Sequence, residues 1–250
     1  DNITTQYNHP LEKGNIVTIH MSRMQEKSNY RGLKIVFEDP YMIVIDKQSG
    51  LMVTPTANER KMTAFSILSR SMSKGNSKKK IYAVHRMDRD ASGLMVFAKD
   101  KRTQMALQTS KHKAIEEYVH TAIVEGKVSK PRERITSWLM ENSAHMMYSS
   151  RVAFEGKEAI TKYKLIKQGK HTSMLEVETE TDIKHQIRVH MQEIGHSLIG
   201  DKKYGSEHNP AKRMGLHAHK MSIKHPVSGK VMTFESNVPR KLRLLFEQED

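Results

Sequence analysis

The stretch His85-Arg86-Met87-Asp88-Arg89-Asp90-Ala91-Ser92-Gly93 places a carboxylate, Asp88, between two arginines. It runs at once into an apolar segment, Leu94-Met95-Val96-Phe97-Ala98. Aspartates in loops commonly cap helices or solvate turns, and Asp88 alone is compatible with that. Two features point instead to a carboxylate held for chemistry. The apolar run suits a central strand, so the loop should lie at a sheet end, where sites are built. A distant segment, His185-Gln186-Ile187-Arg188-Val189-His190, supplies a cation, Arg188, able to pair with a buried carboxylate. An arginine fork grips a carboxylate bidentately and stays charged, so such a pair would keep Asp88 ionised and nucleophilic.

The fourteen histidines raise the question of a metal. There is no His-Glu-x-x-His run, and His185 and His190 are five positions apart on one helical segment. Cysteine is absent, and His217 with His219 has no third ligand suggested nearby. No glycine-rich phosphate loop follows a strand. Neither a metal nor another cofactor is expected.

The elements that must position these residues belong to a chain of 250 residues, 37% hydrophobic, with a formal charge of +14. That length fits one large domain, or a domain with a small appendage. So basic a balance favours a polyanionic partner, most often nucleic acid. The lack of cysteine excludes disulfides and thiolate chemistry and fits a cytoplasmic setting. No stretch approaches the roughly 18–20 apolar residues of a membrane span, and no membrane partner is expected. The 17 methionines read as core filling, exchangeable with leucine. Nothing suggests an obligate interface, so a monomer is expected.

Lys34–Glu38 and Tyr41–Lys47 read as strands around an Asp39-Pro40 turn, and residues 63–72 as a short helix. Residues 73–80 form a basic loop, a candidate phosphate contact or a plain solvated loop. Residues 93–100 read as a buried strand, with Asp100 as N-cap of a following helix. Residues 116–126 read as a strand ending at Gly126, and residues 158–181 as a hairpin turning near Gly169. Ile183, Ile187, His190, Met191 and Ile194 fall at helical spacing, stopped by Gly195. A hairpin with Ser228-Gly229 in its turn closes the chain. Strands joined mostly by hairpins argue for an α+β fold with a mixed, mostly antiparallel sheet and flanking helices.

These blocks carry a resemblance. His85–Gly93 resembles the His-Arg-Leu-Asp-x-x-Thr-Ser-Gly signature of the RluA-type RNA pseudouridine synthases. Ile35–Pro55 looks like that family's opening segment, and Glu116–Gly126 like its tyrosine strand. Thr181–Gly205 is similar to its Thr-Gly-Arg-x-His-Gln-Ile-Arg block, and Gly215–Pro239 to its closing block. The five blocks come in the family's order, from about Ile35 to Pro239. The resemblance implies a sheet with a cleft across its middle and an isomerase that turns uridine in ribosomal or transfer RNA into pseudouridine without a cofactor. It implies Asp88 as catalytic carboxylate and Arg188 as its partner. Tyr118 would stack on the base and assist proton removal. Arg86 would fill the gap left by the flipped nucleotide, with His85, Lys184 and His185 as further RNA contacts.

The sequence departs from the pattern at Met87, a near-neutral exchange for leucine. Ala91 replaces a threonine whose hydroxyl would hold the loop, and Gln48 replaces a proline, which should loosen a turn. Asp182-Ile183 replaces Gly-Arg, adding an anion and removing a cation beside the RNA. Weaker RNA binding is expected from that pair. The alternative reading is an RNA-binding or RNA-folding protein of the same fold with impaired catalysis. Residues 1–22 resemble the tail of an alpha-L-type RNA-binding domain. The chain opens on Asp1 rather than methionine, which together implies a remnant of that domain. A linker is then expected over residues 23–33, and the catalytic domain over residues 34–250.

Overall fold

The computed structural model describes residues 29–73, 80–109, 114–150 and 152–247. The expected domain remnant and most of the basic loop lie outside them. Among the described residues, twelve strands form one sheet. They are β1 (Asn29–Tyr30), β2 (Leu33–Glu38), β3 (Met42–Lys47), β4 (Tyr82–Ala83), β5 (Ser92–Ala98) and β6 (Ile115–Glu125). Then follow β7 (Arg132–Glu141), β8 (Met147–Ser150), β9 (Lys157–Gln168), β10 (Thr172–Thr179), β11 (Leu216–Lys224) and β12 (Val231–Glu235). The order is β1-β2-β3-β5-β11-β6-β10-β9-β7-β8, with β12 on β11 and β4 on β5. The β5–β11 pair is parallel and every other pairing is antiparallel. The expected α+β, mostly antiparallel architecture is the one observed.

All seven residues of β5 are buried, and the reason is a helix on each face. Met95 and Phe97 pack with Ile43 and Ile45 against helix α1 (Ala64–Ser73), through Ala64, Ile67 and Leu68. Leu94 and Val96 join Met42 and Val44 on the opposite face, with Leu107 of α2 (Lys101–Thr109). A strand covered on both sides reads as a continuous apolar run rather than an alternation. Asp100 caps α2 as expected, its carboxylate accepting the Thr103 N–H at 2.8 Å. On the other half of the sheet, α3 (Gln186–Glu193) packs through Ile187 and Met191 onto Leu175 and Val177. The last helix, α4 (Arg240–Glu247), packs through Leu242 and Phe246 on Ile123.

Three features differ from the sequence reading. Asn29 and Tyr30, expected in a linker, pair with β2. The β7–β8 hairpin had no apolar alternation to reveal it, because Ser137 occupies a core position. That serine is buried on a hydrogen bond between its hydroxyl and His190 Nε2 of α3, 3.1 Å. The hairpin turn is made by Asn142, whose side-chain oxygen accepts the N–H groups of Ala144 and Met146. Helix α3 begins at Gln186 rather than near Ile183. His185 before it takes a left-handed conformation, φ 57°, and the Gln186 side chain folds back to accept the Ile183 N–H.

The two halves of the sheet meet where β5 runs beside β11, with His217 opposite Ser92 and Ala218 opposite Gly93. Gly93 has φ 111°, and a Cβ there would stand 2.1 Å from the Ala218 carbonyl oxygen. Only glycine fits so close an approach at that backbone angle. Gly93→Ala should cost about 3 kcal/mol or more of stability, read as a lower urea midpoint and Tm.

Candidate active site

The loop ahead of β5 is fixed mostly through its backbone. Lys47, fully buried at the end of β3, donates from Nζ to the carbonyls of Arg89 (3.0 Å) and Ala91 (2.7 Å). The same amine reaches the carbonyls of Gln48 (3.0 Å) and Leu51 (2.8 Å). Gly50 N–H and the Ser49 hydroxyl bind the Arg89 and Asp90 carbonyls. Burial lowers the Lys47 ammonium to about 7, with Arg213 adding to the effect and Asp90 and Asp88 opposing it. Four carbonyl oxygens favour the charged form, which carries three donors.

This arrangement accounts for two departures in the motifs. Gln48 does not loosen its turn, because its N–H, which proline would lack, donates to the Gly32 carbonyl at 2.8 Å. Ala91 packs in the core beside Ala122, Val177 and Leu216, and its carbonyl, not a hydroxyl, ties the loop.

Asp88 at the loop's centre meets Arg188 across 100 positions of sequence. Arg188 Nη1 donates to Asp88 Oδ2 at 2.9 Å. Its other two groups, Nε and Nη2, clasp Asp201, each at 2.7 Å. The guanidinium also lies 4.7 Å from the centre of the buried Tyr204 ring. Burial disfavours its charge, but Asp201 and Asp88 outweigh that and raise its pKa above the usual arginine value. The bidentate bond thus belongs to Asp201, and Asp88 receives a single N–H. Its Oδ1 faces His185 Nε2 at 3.6 Å, while His185 Nδ1 pairs with the Tyr204 hydroxyl at 2.7 Å. Burial, together with Arg188, Lys203 and Lys184, lowers His185 to about 4 despite the neighbouring Asp88. A neutral imidazole therefore borders the carboxylate, which keeps lone pairs open toward the cleft.

That cleft is bordered by Asp88, Arg188 and His185, by Met87, Ile183 and Leu216, and by Tyr118 and His120. The Tyr118 hydroxyl donates to the Leu94 carbonyl at 2.8 Å. Burial, with Asp182 nearby, raises its pKa well above the phenol range. A hydroxyl so held keeps its proton at neutral pH.

The residues named from sequence separate into two groups. Asp88, Arg188, Tyr118, His185 and Arg86 all line the cleft. Arg86 is exposed at its edge. His85 and Lys184 do not line it. His85 Nε2 accepts the Val96 N–H at 3.1 Å, and its ring stands edge-on to Tyr118. Lys184 pairs with Glu141. Of the two pattern-breaking residues, Asp182 is exposed and Ile183 half-buried, and both border the cleft. Ile183 also packs against the cluster of Leu139, Val189 and Tyr204, so its apolar side chain is used.

Sequence reasoning missed Lys47, Asp201, Tyr204 and His120 as site residues. Asp201 and Tyr204 lie in Thr181–Gly205, and their proximity to Arg188 was the available signal. Behind the site, Arg213 donates to the Ser92 hydroxyl at 2.7 Å. Ser92 in turn donates to His217 Nδ1 at 2.8 Å, an imidazole that burial lowers to about 4 and keeps neutral. The start of β5 is thereby tied to β11.

Residues 41–193 match the family model described as RNA pseudouridylate synthase. The chain is 31% identical over 240 residues to the RNA pseudouridine synthase YhcT of Bacillus subtilis, covering 94% of this chain and 79% of that one. It is 34% identical over 231 residues to ribosomal large subunit pseudouridine synthase D of Zymomonas mobilis, covering 86% and 72%. The human RNA pseudouridylate synthase domain containing 1 shares the fold, with TM-score 0.67 and 22% identity, covering 83% of this chain and 84% of that one.

Lys47→Met would leave four carbonyls without their donor. The expected loss is on the order of 3 kcal/mol in urea denaturation. Faster amide exchange over residues 89–91 should accompany it, since the loop loses its tether.

Proposed function

The chain belongs to the RNA pseudouridylate synthase family, and from that premise we propose that Asp88 is the catalytic carboxylate that isomerises a uridine in structured ribosomal or transfer RNA. The reaction breaks the N1–C1′ bond, turns the base, forms a C5–C1′ bond, releases the C5 proton and leaves N1 protonated by a proton from solvent. Asp88 carries it by attacking either the sugar or the base. The relative named for the large ribosomal subunit makes ribosomal RNA the first substrate to try.

One observation supports the role of Asp88 most. Arg188 spends its fork on Asp201 and gives Asp88 one N–H. A carboxylate gripped on both oxygens would be a structural ion pair, whereas one held by a single bond is oriented and still available. Arg188, Asp201 and His185 position it. Tyr118 gives the base an aromatic face, worth about 1–3 kcal/mol where bases stack on such rings. Extracting a uridine from its stack costs a few kcal/mol, and the planar cation Arg86 at the edge offsets that by occupying the vacancy. The cytoplasm, where such RNA is made and modified, is the proposed location, and a monomer the proposed state.

The test is to incubate the protein with unmodified large-subunit ribosomal RNA transcript and map pseudouridine. The wild type should form it, and Asp88→Ala should form none while retaining RNA affinity. Pseudouridine that persists in Asp88→Ala would remove Asp88 from the chemistry.

A second reading, an RNA-binding or RNA-folding protein with impaired catalysis, has one observation in its favour: Asp182 sets an exposed anion at the cleft. Both readings place RNA phosphates on a chain of charge +14. Affinity should therefore fall about 10³-fold or more from 50 to 200 mM salt if six or more phosphates are contacted. A flat response in filter binding would contradict both.

A further inference from the structure

Two groups face the Asp88 carboxylate, the Arg188 guanidinium and the His185 imidazole. One fully buried side chain, Tyr204, touches both. The face of its ring lies 4.7 Å from the guanidinium. Its hydroxyl is 2.7 Å from His185 Nδ1, and the two rings stand edge to face with centres 5.5 Å apart. His185 reaches this place in a left-handed backbone conformation, φ 57°, which a residue with a Cβ seldom adopts. Such strain persists where the surrounding structure over-determines it, as at functional sites.

The hydrogen bonds of Tyr204 decide which imidazole nitrogen carries the proton. Burial raises the phenol above its usual pKa, so the hydroxyl keeps a proton to give. Its oxygen already accepts the Met147 N–H at 3.3 Å. Among the described residues, His185 Nδ1 is the partner left to receive the hydroxyl proton. Nδ1 therefore accepts. Burial lowers His185 to about 4, so the ring is neutral at neutral pH, and its single proton sits on Nε2. Nε2 faces Asp88 Oδ1 at 3.6 Å. The opposite tautomer would set a nitrogen lone pair against a carboxylate that can only accept. Both ends of the ring thus favour the same form. The separation exceeds a hydrogen bond, so the N–H orients Asp88 without gripping it, and such contacts tighten once substrate is bound.

We propose that Tyr204 is a positioning residue whose hydroxyl locks His185 in the Nε2–H tautomer, so that an N–H rather than a lone pair meets Asp88. Its link to turnover rests on the reading of Asp88 as the catalytic carboxylate, whereas the lock itself does not. Without the hydroxyl the Nδ1–H form gains population, and its Nε2 lone pair repels Oδ1 from the orientation that Arg188 sets.

The test uses the full chain with isotope-labelled histidine, reading the ring-nitrogen NMR signals of His185 at neutral pH. The signals that disappear in His185→Gln identify that ring. The wild type should show Nε2 protonated and Nδ1 bare. Tyr204→Phe keeps the ring beside Arg188 and removes only the hydroxyl, and it should shift the pattern toward the Nδ1–H form. Tritium release from a large-subunit ribosomal RNA transcript labelled at uridine C5 reads kcat and KM. In Tyr204→Phe, kcat should fall about tenfold or more, the worth of one buried hydrogen bond. KM should stay within about twofold, because phosphates dominate affinity. The amide of His185→Gln offers an N–H with no tautomer to lock, so adding Tyr204→Phe to it should change kcat by less than about twofold.

A wild type protonated on Nδ1, or a His185 pattern unchanged in Tyr204→Phe, would overturn the proposal. So would a kcat loss as large in the His185→Gln background as in the wild type, which would mark a purely structural role. A tautomer shift in Tyr204→Phe beside a wild type that binds the transcript and releases no tritium would support the lock and overturn the synthase reading.

Discussion

The site depends on how one guanidinium divides its hydrogen bonds. Arg188 faces two carboxylates and turns a two-pronged edge to one of them. Asp201, almost wholly buried, takes both prongs. Asp88 takes the remaining N–H. A buried cation needs its charge matched, and the carboxylate proposed as catalytic needs to be left partly unmatched. Assigning the strong bond to Asp201 meets both conditions. His185 and Tyr204 complete the arrangement, one as a neutral neighbour to Asp88 and the other as an aromatic face under the guanidinium.

That division works only if Asp88 arrives at the right place, and its loop has few side-chain ties of its own. The rigidity comes from β3 and the turn after it. Lys47, Ser49 and Gly50 bind the carbonyls of Arg89, Asp90 and Ala91. Because the grip is on the backbone, it tolerates side-chain replacement in the loop, which is how Ala91 can stand where a hydroxyl was expected. The close parallel approach of Gly93 to Ala218 then brings the loop against the half of the sheet that carries α3. A buried amine, a glycine and an arginine fork act in series on one carboxylate.

Much of the fold was legible because its signals are local. The all-apolar run of β5, the Asp39 and Gly169 turns and the Asp100 cap each depend on neighbours in sequence. The β7–β8 hairpin was not, since the reason for burying Ser137 is a histidine 53 positions away. The start of α3 was misplaced because Ile183 sits at helical spacing, and only the fold-back of Gln186 shows that the turn before it is a loop. Gln48 read as a weakness because its N–H partner, Gly32, lies on another turn.

By itself the sequence determined which residues could do the chemistry, the α+β class and the basic surface, since residue type, periodicity and net charge are properties of the chain. Its resemblance to a known family singled out Asp88, Arg188 and Tyr118 together. The tertiary structure alone decided how they are used. It gave the arginine fork to Asp201 rather than Asp88, and turned His85 and Lys184 toward backbone and Glu141 instead of the cleft. It also brought His120 to the wall beside Tyr118. The reason is physical: a side chain's hydrogen-bonding capacity is written in its type, but the partner that uses it is set by which distant groups folding brings within about 3 Å.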